Sequence, residues 1–327
     1  MLNDIKTKNI QLRYPHKSYV GVTSNNSKNK ISYTFAADIK NSRYGDSSRW
    51  ADLTALLEKS RTLLNAIFEN NLEKEIVFSG GDSIQGVFNR PEHAYMYGRL
   101  LQKLFYPEKI KVGIGIGEVF SYYEDKNSNY STGQAFINAQ SALNRAKSND
   151  IDVQISSYES NVDEINIMLE MISSIRGTQT DYQKELDLMT EILFPFVTFS
   201  MYNTSYKLIE IINFKNSLPT FNITSSTDSS DTRIDIFIKN LESDISNYIK
   251  PILINKYVNK NLMELIEQAN VYGIQSDLAL LTQSTKQNIS KMFNKAKIEQ
   301  LRKYDIVIIK RLGDVNNGIT DIEPYTK

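Results

Sequence analysis

The sequence predicts an α+β chain, with an α/β sandwich at the N-terminal end and an all-helical region after it. Three observations predict this. Short β-rich runs alternate with amphipathic segments up to about residue 157, which is the order of an α/β layer. From residue 158 onward the apolar spacing turns helical. A length of 327 residues with 41% hydrophobic and 10% aromatic side chains supplies enough apolar material for more than one core, since domains average about 150 residues.

The first predicted strand is 31–37, with Asp38 at its C-terminal end. Leu53, Leu56, Leu57, Leu63, Leu64 and Ile67 then recur at helical spacing over 47–70. Two β-rich runs, 75–78 and 83–88, flank Ser79-Gly80-Gly81-Asp82, a hairpin signal. A helix over 91–105 leads into a strand at 110–116. After a polar loop at 124–130, Gly133 opens a helix that ends near Ser148, and a strand at 153–156 closes the unit. This β-α-β-β-α-β-α-β order predicts a sandwich with an antiparallel hairpin at its centre.

The sequence divides into a palm-like domain (1–157), a helical middle region (158–250) and a C-terminal domain (251–327). Ile165, Met168, Leu169, Met171 and Ile172, then Leu186, Leu188, Met189, Ile192 and Leu193, form amphipathic stretches, with Met168, Met171 and Met189 read as core. The Ser/Thr/Asn-rich segment 213–231 reads as a flexible connection. Helical spacing resumes at Ile234 and continues to about Lys303. The tail after Gly313 has no periodicity.

Composition removes several function classes. The chain has no cysteine, so it carries no disulfide scaffold, thiolate metal site or cysteine nucleophile. Two histidines, His16 and His93, are too few for a histidine-rich metal centre, and His93 reads as a surface or capping residue. The 38 basic residues balance 38 acidic ones, so a polyanionic partner needs a local patch. Met1 to Pro15 contain no apolar run before a cleavage site, and the greasiest window, 192–199, is short and broken by Pro195. The expectation is a cytoplasmic protein without a membrane partner.

The chemistry-bearing feature is a pair of aspartates. Asp38 ends the first strand and Asp82 sits in the hairpin turn. If the hairpin pairs beside that strand, both carboxylates emerge at one edge of the sheet. Two carboxylates so placed repel each other and are reconciled by a divalent cation. The expected ion is Mg2+ (or Mn2+), with the Ile39 carbonyl as a further ligand. Lys40, Asn41, Ser42 and Arg43 would then suit the phosphates of a nucleoside triphosphate. The plainer reading is that each aspartate is a turn or cap residue.

Phe35 to Ser42 and Phe78 to Phe88 resemble the two metal motifs of class III nucleotide cyclases. Val112-Gly113-Ile114-Gly115-Ile116-Gly117-Glu118-Val119 resembles their glycine-bearing strand. The chain is also similar to the bacterial SatD family, through Asp38 to Arg43, Gly81 to Gly86 and Gly133-Gln134-Ala135-Phe136. The resemblance covers about 31–157. It implies a cyclase-like palm fold, a homodimer with a shared site, and metal binding by Asp38 and Asp82. It makes Asn138 the transition-state asparagine. The partner arginine expected four residues on is replaced by Ala142, which leaves Arg145 as the nearest arginine. Phe78 stands where purine cyclases carry a base-reading lysine.

The segment 276–293 resembles a helix-turn-helix, which SatD-type proteins are also expected to carry. Ala279 takes the small contact position, Ile289 and Phe293 face inward, and Thr285 caps the second helix. Lys286, Gln287, Asn288, Ser290 and Lys291 would face double-stranded DNA. Gln283 holds the turn position usually given to glycine and would need an unfavourable backbone there. From Gln283 to Arg311, eight basic residues face Glu299 and Asp305, a local net of +6. The leading expectation is a DNA-binding regulator whose cyclase-like domain senses or slowly converts a magnesium nucleotide. The alternative is an active nucleotide cyclase or oligonucleotide-forming enzyme whose helical half dimerises or contacts a partner.

Overall fold

The computed structural model describes residues 31–42, 46–121, 127–158, 161–198, 200–201, 203–221, 232–253, 264, 266–267 and 273–320. Arg43, Tyr122 and Tyr123 lie outside them. Alternating residues make β1 (Ile31–Ile39) two-faced: Tyr33, Phe35, Ala37 and Ile39 are buried on one side, and Ser32, Thr34, Ala36 and Asp38 lie on the other. Asp46 caps α1 (Ser47–Ile67) by accepting from the Arg49 amide, and Leu53, Leu56, Leu57 and Leu64 form its buried stripe. The hairpin β2 (Leu72–Gly80) and β3 (Ser83–Phe88) follows. Then come α2 (Pro91–Phe105), β4 (Ile110–Glu118), the short pair β5 (Phe120–Ser121) and β6 (Ser131–Thr132), α3 (Gln134–Ser148) and β7 (Val153–Ser157).

The sheet order is β2-β3-β1-β4-β7. β1 is antiparallel to both β3 and β4, and β7 is parallel to β4. This is the interlocked split β-α-β arrangement with one α-β unit added. The hairpin was expected at the centre; instead β2 is an edge and β1 is central, because β4 returns on the far side of β1.

The two faces differ. Val112, Ile114 and Ile116 of β4 are buried with α2, where Gly98 lets the helix approach Phe35 and Val112. On the opposite face β4 presents Gly113 and Gly115, and α3 lies directly on that bare backbone. A Cβ on Gly115 would fall 2.0 Å from the Ala135 carbonyl oxygen, and one on Gly113 2.3 Å from that of Ala139. No side chain larger than glycine fits there.

Beyond β7 the elements are α4 (Asp163–Gly177), α5 (Asp181–Leu193), β8 (Phe196–Val197), α6 (Thr204–Ser217), α7 (Arg233–Glu242), α8 (Ile245–Tyr248), β9 (Ile252–Leu253), α9 (Ile274–Leu281), α10 (Lys286–Lys295) and α11 (Ile298–Thr320). The segment expected to be flexible is helical over its first five residues, because α6 continues through Phe214, which packs on the core; 222–231 lie outside the described residues. The tail after Gly313 is also helical to Thr320. Tertiary contacts override its poor helix formers: Val315 packs on the core and Tyr33 donates to Asn316 at 2.6 Å.

One apolar cluster runs from Tyr33 in the sheet to Leu312 in α11, so the boundaries drawn at 157 and 250 are not gaps in packing. Met189 is buried as expected, but Met171 is 47% exposed. His93 is not a surface residue. It is buried between Asn71 and Asn89, and burial pushes its pKa down to about 3.

A charge cluster is buried among the helices. Arg99 of α2 bonds Glu191 of α5 and Asp305 of α11. Arg302 reaches Glu191 at 3.0 Å, Lys103 reaches Asp187 at 2.7 Å, and Tyr95 donates to Asp305 at 2.5 Å. Burial alone would raise Glu191 and Asp305, but the cations led by Arg99 outweigh it and hold both carboxyls below their ordinary range.

Candidate functional site

The antiparallel register between β1 and β3 sets Asp38 opposite Ser83, and the Ile39 amide donates to the Asp82 carbonyl at 3.4 Å. Two aspartates 44 positions apart therefore stand side by side at one end of the sheet. Strand alternation sends Asp38 to the α3 face, where Lys147 in the last turn of that helix meets its carboxylate at 2.9 Å. The other aspartate, Asp82, accepts a short hydrogen bond from Ser42. Both are half-buried, and each is held by a different neighbour.

The residues expected at the phosphates fall around this edge. Lys40 bonds Asp150 at 2.7 Å, and Lys111 reaches the same carboxylate at 2.8 Å. These two lysines hold Asp150 well below the usual carboxylate range. Asn41 adopts a left-handed backbone, φ 61°. Ile39 buries its side chain in the core while its amide pairs with the hairpin turn. Phe78 lies on β2, half-buried, with the Arg61 guanidinium 5.8 Å from its ring centre.

The two residues assigned to transition-state stabilisation lie elsewhere. Asn138 is 1% exposed, donates to the Ile116 carbonyl at 2.7 Å and accepts from Gln134 at 3.0 Å. Its amide is thus turned into the α3–β4 contact. Arg145 reaches the Ile155 carbonyl of β7 at 3.2 Å and Ser141 at 3.3 Å. It also lines an open groove between α3 and the uncovered half of the sheet, with Thr34, Ala36, Gln85, Gln140 and Asn144.

Lys147 and Asp150 belong to the site and escaped sequence reasoning. The one signal for Lys147 is a cation in the last turn of a helix, which the helix dipole also explains. Among the described residues no group of three or more His, Cys, Asp or Glu could form a self-sufficient metal cage. The oxygens of Asp38, Asp82 and Ser42 nevertheless suit Mg2+, which takes one or two carboxylates and completes its shell with water and phosphate.

At the helical end, α9 and α10 are joined by a four-residue turn. Thr285 caps α10 by accepting from the Asn288 amide, and Ile289 and Phe293 are buried. Gln283 has φ 52°, the unfavourable left-handed conformation expected where glycine is missing. Lys286, Gln287, Asn288 and Lys291 are exposed and Ser290 half-exposed. The sequence count of +6 is kept at the surface, because Arg302 and Asp305 are buried together and cancel, although some of these cations are paired. Arg302 is buried on Glu191, Lys303 pairs with Glu299 at 2.6 Å, and Lys310 pairs with Asp314 at 3.4 Å.

No helix among the described residues is long and apolar enough to cross a membrane. No family model matches the chain, and no curated protein is significantly similar to it.

Proposed function

We propose that the protein is a DNA-binding regulator that reads a magnesium-bound nucleoside triphosphate at the Asp38–Asp82 end of its sheet. One observation carries the nucleotide half: the strand register brings the backbones of Asp38 and Asp82 from distant sequence positions to the same end of the sheet, with Ser42 and the lysines Lys40, Lys111 and Lys147 around them. Asp38 and Asp82 would hold the metal, and Lys147, which pairs with Asp38, would be at hand for a phosphate. Mg2+ would supply charge neutralisation at the polyphosphate.

Sensing is favoured over fast turnover. An electrostatic clamp on the reacting phosphate is worth about 10²–10³ in rate, and Asn138 and Arg145 are both committed to backbone carbonyls. The open groove beside α3, with Ile137 61% exposed on its rim, is the face that a second copy would cover in a homodimer.

The DNA half rests on the Thr285-capped helix α10 and its exposed Lys286, Gln287, Asn288 and Lys291. α11 joins the two ends, since it follows α10 and returns to β1 through Asn316 and Tyr33.

Calorimetric titration with each nucleoside triphosphate and Mg2+ tests the nucleotide reading. Asp38→Asn and Asp82→Asn should each weaken binding about tenfold or more, about 1.4 kcal/mol. Lys147→Ala should strengthen binding of Mn2+ alone while weakening that of the triphosphate. No heat with any nucleotide refutes it. For the DNA half, affinity for mixed-sequence duplex should fall steeply with salt, and Lys286→Ala with Lys291→Ala should lower the salt slope by about two. An unchanged slope removes α10 from the interface.

A further inference from the structure

On the α2 side of the sheet, the end of α2, the start of β4, the α3–β7 turn, the end of α4 and the start of α5 enclose a cavity of about 380 Å3. That volume falls in the range of small-molecule sites. Its charged wall is unevenly satisfied. Glu108 is paired with Arg49 at 2.7 Å and Asp150 and Asp152 with Lys111 at 2.8 and 3.3 Å, while Asp187 lies 2.7 Å from Lys103 with its Oδ1 making no hydrogen bond. The remaining wall acid, Glu170, is exposed.

The cations of α4 and α5 are less well served. Arg176 has its Nε and Nη2 buried without a hydrogen-bond partner, and its nearest acid is Asp305, 3.5 Å from Nη2. Lys184 lies over the Tyr106 ring, 4.6 Å from its centre. Behind this wall the buried cluster is unbalanced: among the described residues, Arg99, Lys103, Arg176 and Arg302 face Asp187, Glu191 and Asp305. Burial, with the Arg99 and Arg176 charges beside it, pushes Lys103 down to about 8. An uncompensated buried cation is costly, and a bound anion removes that cost.

We infer that this cavity binds a small organic oxyanion, a phosphate monoester or a carboxylate, through the Arg176 guanidinium and the Lys184 ammonium. A guanidinium is a permanent, weakly hydrated cation, and Arg176 lines the cavity together with Lys184, so both groups would be held there by charge. Among the described residues, the cavity touches the Asp38–Asp82 edge only through Asp150 and its Lys111 partner, and its proposed ligands Arg176 and Lys184 need no metal, so it stands whether or not the protein binds a nucleoside triphosphate.

Thermal melting and calorimetry of the full chain with ribose 5-phosphate, inorganic phosphate and succinate, each at millimolar concentration against chloride of equal ionic strength, test it. At least one oxyanion should raise the melting temperature by several degrees without Mg2+, and the rise should persist in Asp38→Asn. A response to ribose 5-phosphate and phosphate only identifies a phosphate site; a response to succinate identifies a carboxylate site. Arg176→Gln should abolish the rise while melting no lower than the parent, because it removes the excess cation. Should that variant fail to fold, Lys184→Gln, on a more open side chain, should reduce the rise at least severalfold. Equal responses in parent and variants, or no response to any of the three anions, overturn the inference.

Discussion

Neutralising Glu191 is the sharpest test of the buried charge cluster. Its Oε2 receives Arg99, Arg302 at 3.0 Å and Lys103 at 3.5 Å, and the residue is 0% exposed. Glu191→Gln preserves shape and removes only the charge, leaving Arg99, Lys103, Arg176 and Arg302 against Asp187 and Asp305 alone. Breaking a buried ion pair from one side costs about 3–5 kcal/mol. In a chain of this size that lowers the melting temperature by on the order of 10 °C. Calorimetric melting and urea titration at neutral pH read both quantities. The pH dependence supplies a second check. Glu191 is held below its ordinary range when folded, so its stabilisation is complete above the unfolded carboxyl value of about 4.3 and is lost as the pH falls further toward the folded value. Glu191→Gln should flatten that acid limb. A variant within about 1 kcal/mol of the parent would refute the view that these charges hold α2, α5 and α11 together.

Three further outcomes follow from the packing. Gly115→Ala places a Cβ 2.0 Å from the Ala135 carbonyl oxygen, and should destabilise by about 3 kcal/mol or more, measurable by urea unfolding. Gln283→Gly should raise stability by roughly 0.5–1 kcal/mol, because a left-handed backbone costs a side-chain-bearing residue more than it costs glycine; a lower melting temperature would contradict the strain at φ 52°. His93 folds neutral, with a pKa near 3, whereas the unfolded chain takes its proton near 6.5, so stability should fall as pH drops below about 6.5. His93→Gln should flatten the curve between about pH 6.5 and 5, and an unchanged slope there would assign the acid limb to other groups.

Much of the sheet half was legible because its periodicities are local. The runs 83–88, 91–105 and 153–156 correspond to β3, α2 and β7 to within a residue, since strand alternation and a proline at a helix start need no distant information. The hairpin's edge position could not be read from spacing, because register is decided by β4 pairing on the other side of β1. α2 was legible as a helix but not as a charged hub. Arg99 and Lys103 stand four residues apart in a stripe that also reads as an ordinary solvated face, and their acids arrive from α5 and α11. At the candidate site Asp38 and Asp82 were legible as strand-end and turn residues. Their partners Lys147 and Ser42 were not legible as partners, since each pairing is a tertiary event.

The glycine track beneath α3 has a mechanical consequence. A helix resting on bare backbone meets few interlocking side chains, chiefly Ala139 and Leu143 against Ala36 of β1, so apolar packing resists sliding along the strand only weakly. The brakes are polar: Asn138 clasps the Ile116 carbonyl at one point and Arg145 the Ile155 carbonyl at another. Because Lys147 rides on the same helix, the position of those two latches sets how far its ammonium can travel from Asp38.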